Sequence, residues 1–490
     1  MRTTGTTALF RQWGLGPDTL TRVYRLALLT GLLVAGAALA AFALLGGDDP
    51  PEFGDVPLDS DPFAYEAGRD PEFEARAAAG HSHAIYAKSP GGVAATARRV
   101  ERYRPKIEEV AEDVGVDADV LEGMVFLESA GRPEVAASDD LEGAVGLTQI
   151  LAETGTVLLG MRVDVQASER LTRRIRRAER RGDVGEAQRM RARRREVDER
   201  FDPEKSLDAT GRYLRLALDR FGREDLAVVS YHMGIGNLEN VLAAYGEEDP
   251  SYAQVFFDAT PDRHPDTYRL LTSLGDDSKT YLWRVYASRE AMRLYREDPA
   301  EVRRQSRLQA AKASSEEVLH PRVRTEVFEN PDDLDRAYGD GDLRPLSESL
   351  ATVGLRAARG MGELAGRLDA DRVLYRGLRP EAYALAVYLA AGVREVAGTR
   401  RPLSVTSTVR DLDYQRLLAR RNPFATRAYS LHTTGFAFDI RRRYASRAQA
   451  AAFQFMLDRL QALNLIAWVR EPGTIHITVS SEARKLLPQS

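Results

Sequence analysis

No cysteine occurs among the 490 residues. That absence removes thiolate nucleophiles, thiolate zinc sites, disulfides and a lipid-modified cysteine together, so any metal must sit on histidine and carboxylate. A basic surplus is also missing. Lysine and arginine number 69 against 73 acids, a formal charge of -4, whereas a dedicated nucleic-acid binder carries a clear positive excess. Nucleic acid is therefore not an expected partner. The chain has no G-x-x-x-x-G-K-[ST] or G-x-G-x-x-G phosphate loop and no internal repeat, which sets aside nucleotide-driven chemistry and solenoid architectures.

One long hydrophobic run is present. Residues 26–45 read LALLTGLLVAGAALAAFALL without a charge, close to the roughly 20 apolar residues that cross a bilayer as a helix. Arg2, Arg11, Arg22 and Arg25 precede it, and Asp48, Asp49 and Glu52 follow. The positive-inside bias then leaves residues 1–25 in the cytoplasm and everything after Gly47 outside, as in a single-pass protein of a bacterial cytoplasmic membrane. A cleaved signal peptide is the other reading, with Ala38, Ala40 and Ala41 as small residues near a cut. Both readings export the rest of the chain.

A length of 490 residues suggests two or three domains. Residues 46–95 are rich in Asp, Pro, Gly and Glu and predict an extracytoplasmic tether, with His81 and His83 as tether residues and not ligands. From 96 to 296 apolar positions recur at helical spacing, for example Leu207, Leu214, Leu218 and Phe221, which predicts an all-α domain. Inside it, about 161–200, lies an arginine-rich stretch broken at Gly182 to Gly185, expected as a charged helical hairpin on the surface. Residues 297–345 are polar and interrupted by Pro321, Pro331 and Pro345, and predict a linker. Residues 346–490 combine a helical segment with β-prone runs at 403–409 and 474–479, a small α+β domain.

Glu128 closes an apolar helical run containing Val120, Leu121, Met124, Val125 and Leu127. A carboxyl in such a wall is poorly solvated, which raises its pKa and suits a general acid. Alone this is a weak signal. Three ordered motifs strengthen it: Glu128-Ser129, Gly146-Leu147-Thr148-Gln149-Ile150, and Ser230-Tyr231-His232-Met233-Gly234 followed by Gly236 and Asn237. Together they resemble the soluble lytic transglycosylase (SLT) family, whose fold is goose-type-lysozyme-like. The resemblance implies that Glu128 protonates the glycosidic oxygen between N-acetylmuramic acid and N-acetylglucosamine and then acts as base. The muramoyl 6-hydroxyl would attack C1, giving a 1,6-anhydro product without water and without a second carboxylate. Ser129, Gln149, Tyr231 and Asn237 match positions implied to contact substrate or frame the acid. The last motif usually reads A-Y-N-A-G, and His232 and Met233 depart from it. His232 reads as a packed or capping histidine.

The C-terminal region holds Ser430, His432, Gly435, Ala437 and Asp439 in an S-x-H-x-x-G-x-A-x-D pattern, with His476 inside TIHITV. Two imidazoles and a carboxylate would leave an open position on a tetrahedral zinc ion, as a hydrolytic site requires. The pattern resembles the zinc D,D-carboxypeptidase and dipeptidase family of the VanY and VanX type. That resemblance implies His432, Asp439 and His476 as Zn2+ ligands, Arg410 as a substrate contact, and cleavage of a bond in the wall stem peptide. The family's general base lies three residues before the last histidine; that position is Gly473 here, and the nearest acid is Glu471. The expected protein is thus a multidomain, membrane-anchored enzyme of peptidoglycan, cutting its glycan strands and, through a second zinc site, its stem peptides. The alternative is a wall-binding scaffold in which one or both clefts hold ligand without turnover.

Overall fold

The computed structural model describes residues 61–487, except 423, 424, 427 and 428. The proposed membrane span at 26–45 lies outside the described residues, and among those described no helix is long and apolar enough to cross a membrane. The chain is largely helical up to Gly339, and a sheet follows. Strands β1 (Arg344–Pro345) and β3 (Gly377–Leu378) form an antiparallel pair. Strands β2 (Leu355–Ala357), β4 (Leu403–Ser407), β5 (Ala437–Arg441), β6 (Ile466–Arg470) and β7 (Thr474–Val479) form a five-stranded sheet in the order β2-β4-β5-β7-β6. Only the β2–β4 pair is parallel. Helices Pro380–Ala397 and Arg447–Ala462 pack against each other beside this sheet.

One apolar core runs from Phe63 to Ala483 and unites the helical and sheet regions. The segment expected as a tether contributes to it. Residues 70–88 form a helix that buries Phe73, Ala77, Gly80 and Ile85 against helices Tyr281–Glu297 and Arg447–Ala462. Its apolar stripe is thin because two of the four contacts are alanine and glycine, so composition reads it as polar. A Cβ on Gly80 would run into the carbonyl oxygen of Gln461, so that residue's size sets the approach of the two helices.

The region expected as a linker is also ordered into the fold. It forms helices Pro299–Ala310, Glu316–Leu319 and Pro331–Gly339, with Val302, Gln309 and Leu334 buried. Pro331 starts a helix here; it sits at the first helical position behind Asn330, whose side chain caps the Asp333 N–H. The arginine-rich stretch forms helices Val165–Arg180 and Val184–Val197, joined through Gly182 in left-handed conformation.

Candidate active sites

Glu128 sits in the last turn of helix Ala118–Ser129, which Asp117 caps at its start and a left-handed Ala130 ends. The buried Val120, Leu121, Met124 and Val125 hold the helix in the core. Gly123 lets helix Tyr281–Glu297 come close, since a Cβ there would stand 2.7 Å from the Val285 carbonyl oxygen. That crossing brings the first residue of the second helix to the acid: Tyr281 Oη donates to Glu128 Oε1 at 2.6 Å. Burial lifts the Glu128 carboxyl from 4.5 to about 7, against smaller lowering by the Tyr281 hydroxyl and Arg284. The charged side chain that opposes this lift is the Arg284 guanidinium.

The 141–150 loop is fastened from beneath by Arg200, which is fully buried. Its guanidinium pairs with Asp198 and donates to the carbonyls of Leu141, Gly143 and Ile150. Gly146, at φ 85°, lies where a Cβ would strike the Arg200 carbonyl oxygen. Next to it, the Thr148 hydroxyl bonds to those of Ser206 and Thr210, and Tyr231 Oη donates to the Thr148 carbonyl at 2.8 Å.

The structure thus brings Glu128, the 146–150 loop and Tyr231 together, but not all in the expected roles. Tyr231 braces the loop, and the tyrosine that bonds to the acid is Tyr281. Ser129 is 2% exposed, with its hydroxyl turned to the Val125 carbonyl. Gln149 donates to the carbonyls of Gly146 and Val135, closing its own turn. Asn237 is exposed, and its amide donates to the Met233 carbonyl. His232 stacks on Tyr281, ring centroids 5.0 Å apart, and bonds to Ser278 Oγ at 2.8 Å.

The second site is built on the sheet. Asp439 on β5 and His476 on β7 are direct cross-strand partners, so both side chains leave the same face. His432 comes from a 3-10 turn, Leu431–Thr434, that ends in a left-handed Gly435. One carboxylate oxygen of Asp439 lies 3.2 Å from His432 Nε2 and 2.8 Å from His476 Nδ1. The other ring nitrogens are engaged elsewhere. His432 Nδ1 is 2.7 Å from the Thr408 carbonyl, and His476 Nε2 is 2.6 Å from Glu316 Oε1.

These contacts test whether the residues fit a cation. The Thr408 carbonyl can only accept, so His432 carries a proton on Nδ1 and, when neutral, aims its Nε2 lone pair at a carboxylate. Burial, with Arg410 adding to it, lowers His432 to about 4, whereas the Glu316 and Asp439 carboxylates, against burial, raise His476 to about 10. A lone pair facing a carboxylate oxygen is repulsive unless a cation lies between them. Among the described residues, His432, Asp439 and His476 form the group able to hold an ion, with ligand atoms all within 4.8 Å of one another. The donor set fits zinc.

Around them is a cavity of about 290 Å³ whose wall includes Arg410, Gln415, Glu471 and Glu316. Arg410 Nη2 reaches to 3.5 Å from Asp439 Oδ2, and its guanidinium is held by Ser407 and Gln415. Glu471 lies on the hairpin between β6 and β7, with Oε2 accepting from Thr474 Oγ1 at 2.9 Å. Three residues escape a reading of the sequence: Tyr281, Arg200 and Glu316. Each reaches its partner through tertiary packing or a buried ion pair, and none belongs to a motif.

Residues 183–253 match the family model described as the transglycosylase SLT domain. The matched stretch contains Tyr231 and Asn237; Glu128 and the 146–150 loop lie before it. No curated protein matches the chain.

Proposed function

We propose that the protein is a lytic transglycosylase of peptidoglycan with Glu128 as its acid and base. The observation that carries this reading is the Glu128 carboxyl, lifted to about 7 by burial and held by Tyr281 at 2.6 Å, in a chain whose residues 183–253 match the SLT domain. A carboxyl poised there is protonated in a useful fraction at neutral pH and still competent as a base. In the proposed reaction Glu128 gives its proton to the glycosidic oxygen as the bond to muramoyl C1 breaks. The muramoyl O6 then bonds to C1 and returns its proton to Glu128, leaving a 1,6-anhydro end. Tyr281 holds the carboxylate in place between the two transfers. The uncharged 26–45 run would anchor the enzyme at the membrane, with both sites on the outer side.

Digestion of purified sacculi with wild-type and Glu128→Gln protein, followed by mass analysis, tests the reading. Wild type should release 1,6-anhydromuropeptides and the variant none. Binding without release by wild type would leave a wall-binding scaffold instead.

A second activity is favoured by the convergence of His432, Asp439 and His476 on one point, with the outward nitrogens of both rings already bonded. Zinc held there would supply a Lewis acid and an activated water for cleavage of a stem-peptide bond. Arg410 would orient the substrate's carbonyl or carboxylate, and Glu471, on the cavity wall, would take up the proton. Loss of stem-peptide cleavage and of stoichiometric zinc in a His432→Ala variant is the expected result. Intact cleavage in that variant sinks the proposal.

A further inference from the structure

Glu316 lies in the segment whose composition reads as a linker, 160 positions before the histidine it touches. It is only 3% exposed. Its Oε1 stands 2.6 Å from His476 Nε2 and accepts from Thr478 Oγ1 at 3.0 Å, while Oε2 accepts from Ser314 Oγ at 2.7 Å. His476 and Thr478 are two apart on β7 and share a face, so one carboxylate spans both. The segment is fixed further along as well. His320 stacks on Phe436 with centroids 3.9 Å apart and bonds to the Val479 carbonyl, and Tyr429 Oη donates to the His320 carbonyl at 3.0 Å.

A buried carboxylate with all of its contacts on one face of a strand and one short turn has a definite effect on the imidazole it meets. It fixes the Nε2–H tautomer, prevents rotation of the ring, and leaves the Nδ1 lone pair aimed at the point shared with Asp439 and His432. It also makes that nitrogen a better donor to a cation. We infer that Glu316 is a positioning residue for His476 in the proposed metal site, so that the functional C-terminal unit includes the segment around 314–320 and is incomplete without it. The inference rests on the zinc reading of the site. By linkage, a cation bound to His476 stabilises the docked segment, and the docked segment strengthens cation binding by the same factor.

The test uses the full-length chain and measures zinc affinity by competition with a colorimetric chelator, alongside the visible spectrum of the cobalt(II)-loaded protein. Glu316→Ala is expected to weaken zinc about 10- to 100-fold and to alter the cobalt spectrum. Glu316→Gln keeps an oxygen that accepts from His476 and should recover most of the affinity. The control is Glu317→Ala, which removes the neighbouring acid, paired at 3.5 Å with Lys312, and leaves His476 untouched. It should bind zinc as wild type does. Wild-type-like affinity and spectrum in Glu316→Ala, or equal weakening by Glu317→Ala, would overturn the inference while the zinc reading stands. Wild-type protein that takes up no stoichiometric zinc would instead bring down the zinc reading itself. Far-UV circular dichroism and the thermal unfolding transition report in every variant that the chain is folded.

Discussion

Removing one oxygen atom, in Tyr281→Phe, should move the pH range over which the proposed glycan-cleaving site works. The Tyr281 hydroxyl donates to Glu128 at 2.6 Å and stabilises the ionised carboxylate, opposing the burial that lifts the pKa to about 7. A hydrogen bond to a charged group contributes about 1.5 to 3 kcal/mol, and one pKa unit corresponds to about 1.4 kcal/mol. Loss of the donor should therefore raise the Glu128 pKa by about one to two units. Glu128 must be protonated to act as acid, so the alkaline limb of kcat/KM lies at its pKa in the free enzyme and should shift to higher pH. Phenylalanine keeps the ring that stacks on His232, which separates the hydrogen bond from packing. The assay is release of 1,6-anhydromuropeptides from sacculi across pH 5 to 9. An alkaline limb that stays put or moves to lower pH would show that Tyr281 does not stabilise the ionised acid. Peak activity should fall too, because the carboxylate is less firmly held, but the direction of the pH shift is the decisive reading.

Other perturbations test the frame around the sites. Glu128 has a folded pKa above its unfolded value, so ionisation costs stability as pH rises from about 4.5 through 7. Glu128→Gln should consequently raise the melting temperature relative to wild type at pH 8, by at most about 3 kcal/mol of stability, with no gain near pH 4. Gly146→Ala puts a methyl against the Arg200 carbonyl at a left-handed position; urea unfolding should show a loss of about 2 kcal/mol or more. Gly80→Ala should wedge helices Asp70–Lys88 and Arg447–Ala462 apart and increase amide hydrogen exchange in both, and unchanged exchange would contradict the close approach.

The candidate sites could be located in the sequence because they are carried by local patterns. Glu128 closes an apolar helical run, and His432, Asp439 and His476 occur in a motif and a β-prone run, so their types and spacing survive without coordinates. The partners of these groups were hidden. Tyr281 reaches Glu128 only through a helix crossing that depends on Gly123. Glu316 approaches His476 from a segment whose prolines and charges look like a linker, although Pro331 in fact starts a helix. Helix Asp70–Lys88 was missed for a related reason: its contact surface relies on alanine and glycine, which favour close approach but carry little hydrophobic signal. Ser129 occupies a matching motif position, but its side chain is buried with its hydroxyl on the Val125 carbonyl, a detail that tertiary packing sets and the motif does not carry.

The same packing that hid those partners joins the two candidate sites through one apolar core. Helix Tyr281–Glu297 brings Tyr281 to Glu128 and packs on helix Asp70–Lys88, which in turn packs on helix Arg447–Ala462 beside the sheet carrying Asp439 and His476. All three helices belong to one apolar core, so opening one region exposes surface that the other needs buried. Two domains on a flexible tether would instead lose stability independently. A shared core makes the coupling reciprocal: a cation held by His432, Asp439 and His476 would stabilise the frame around Glu128, and the stability gained by neutralising Glu128 at alkaline pH would extend to the sheet.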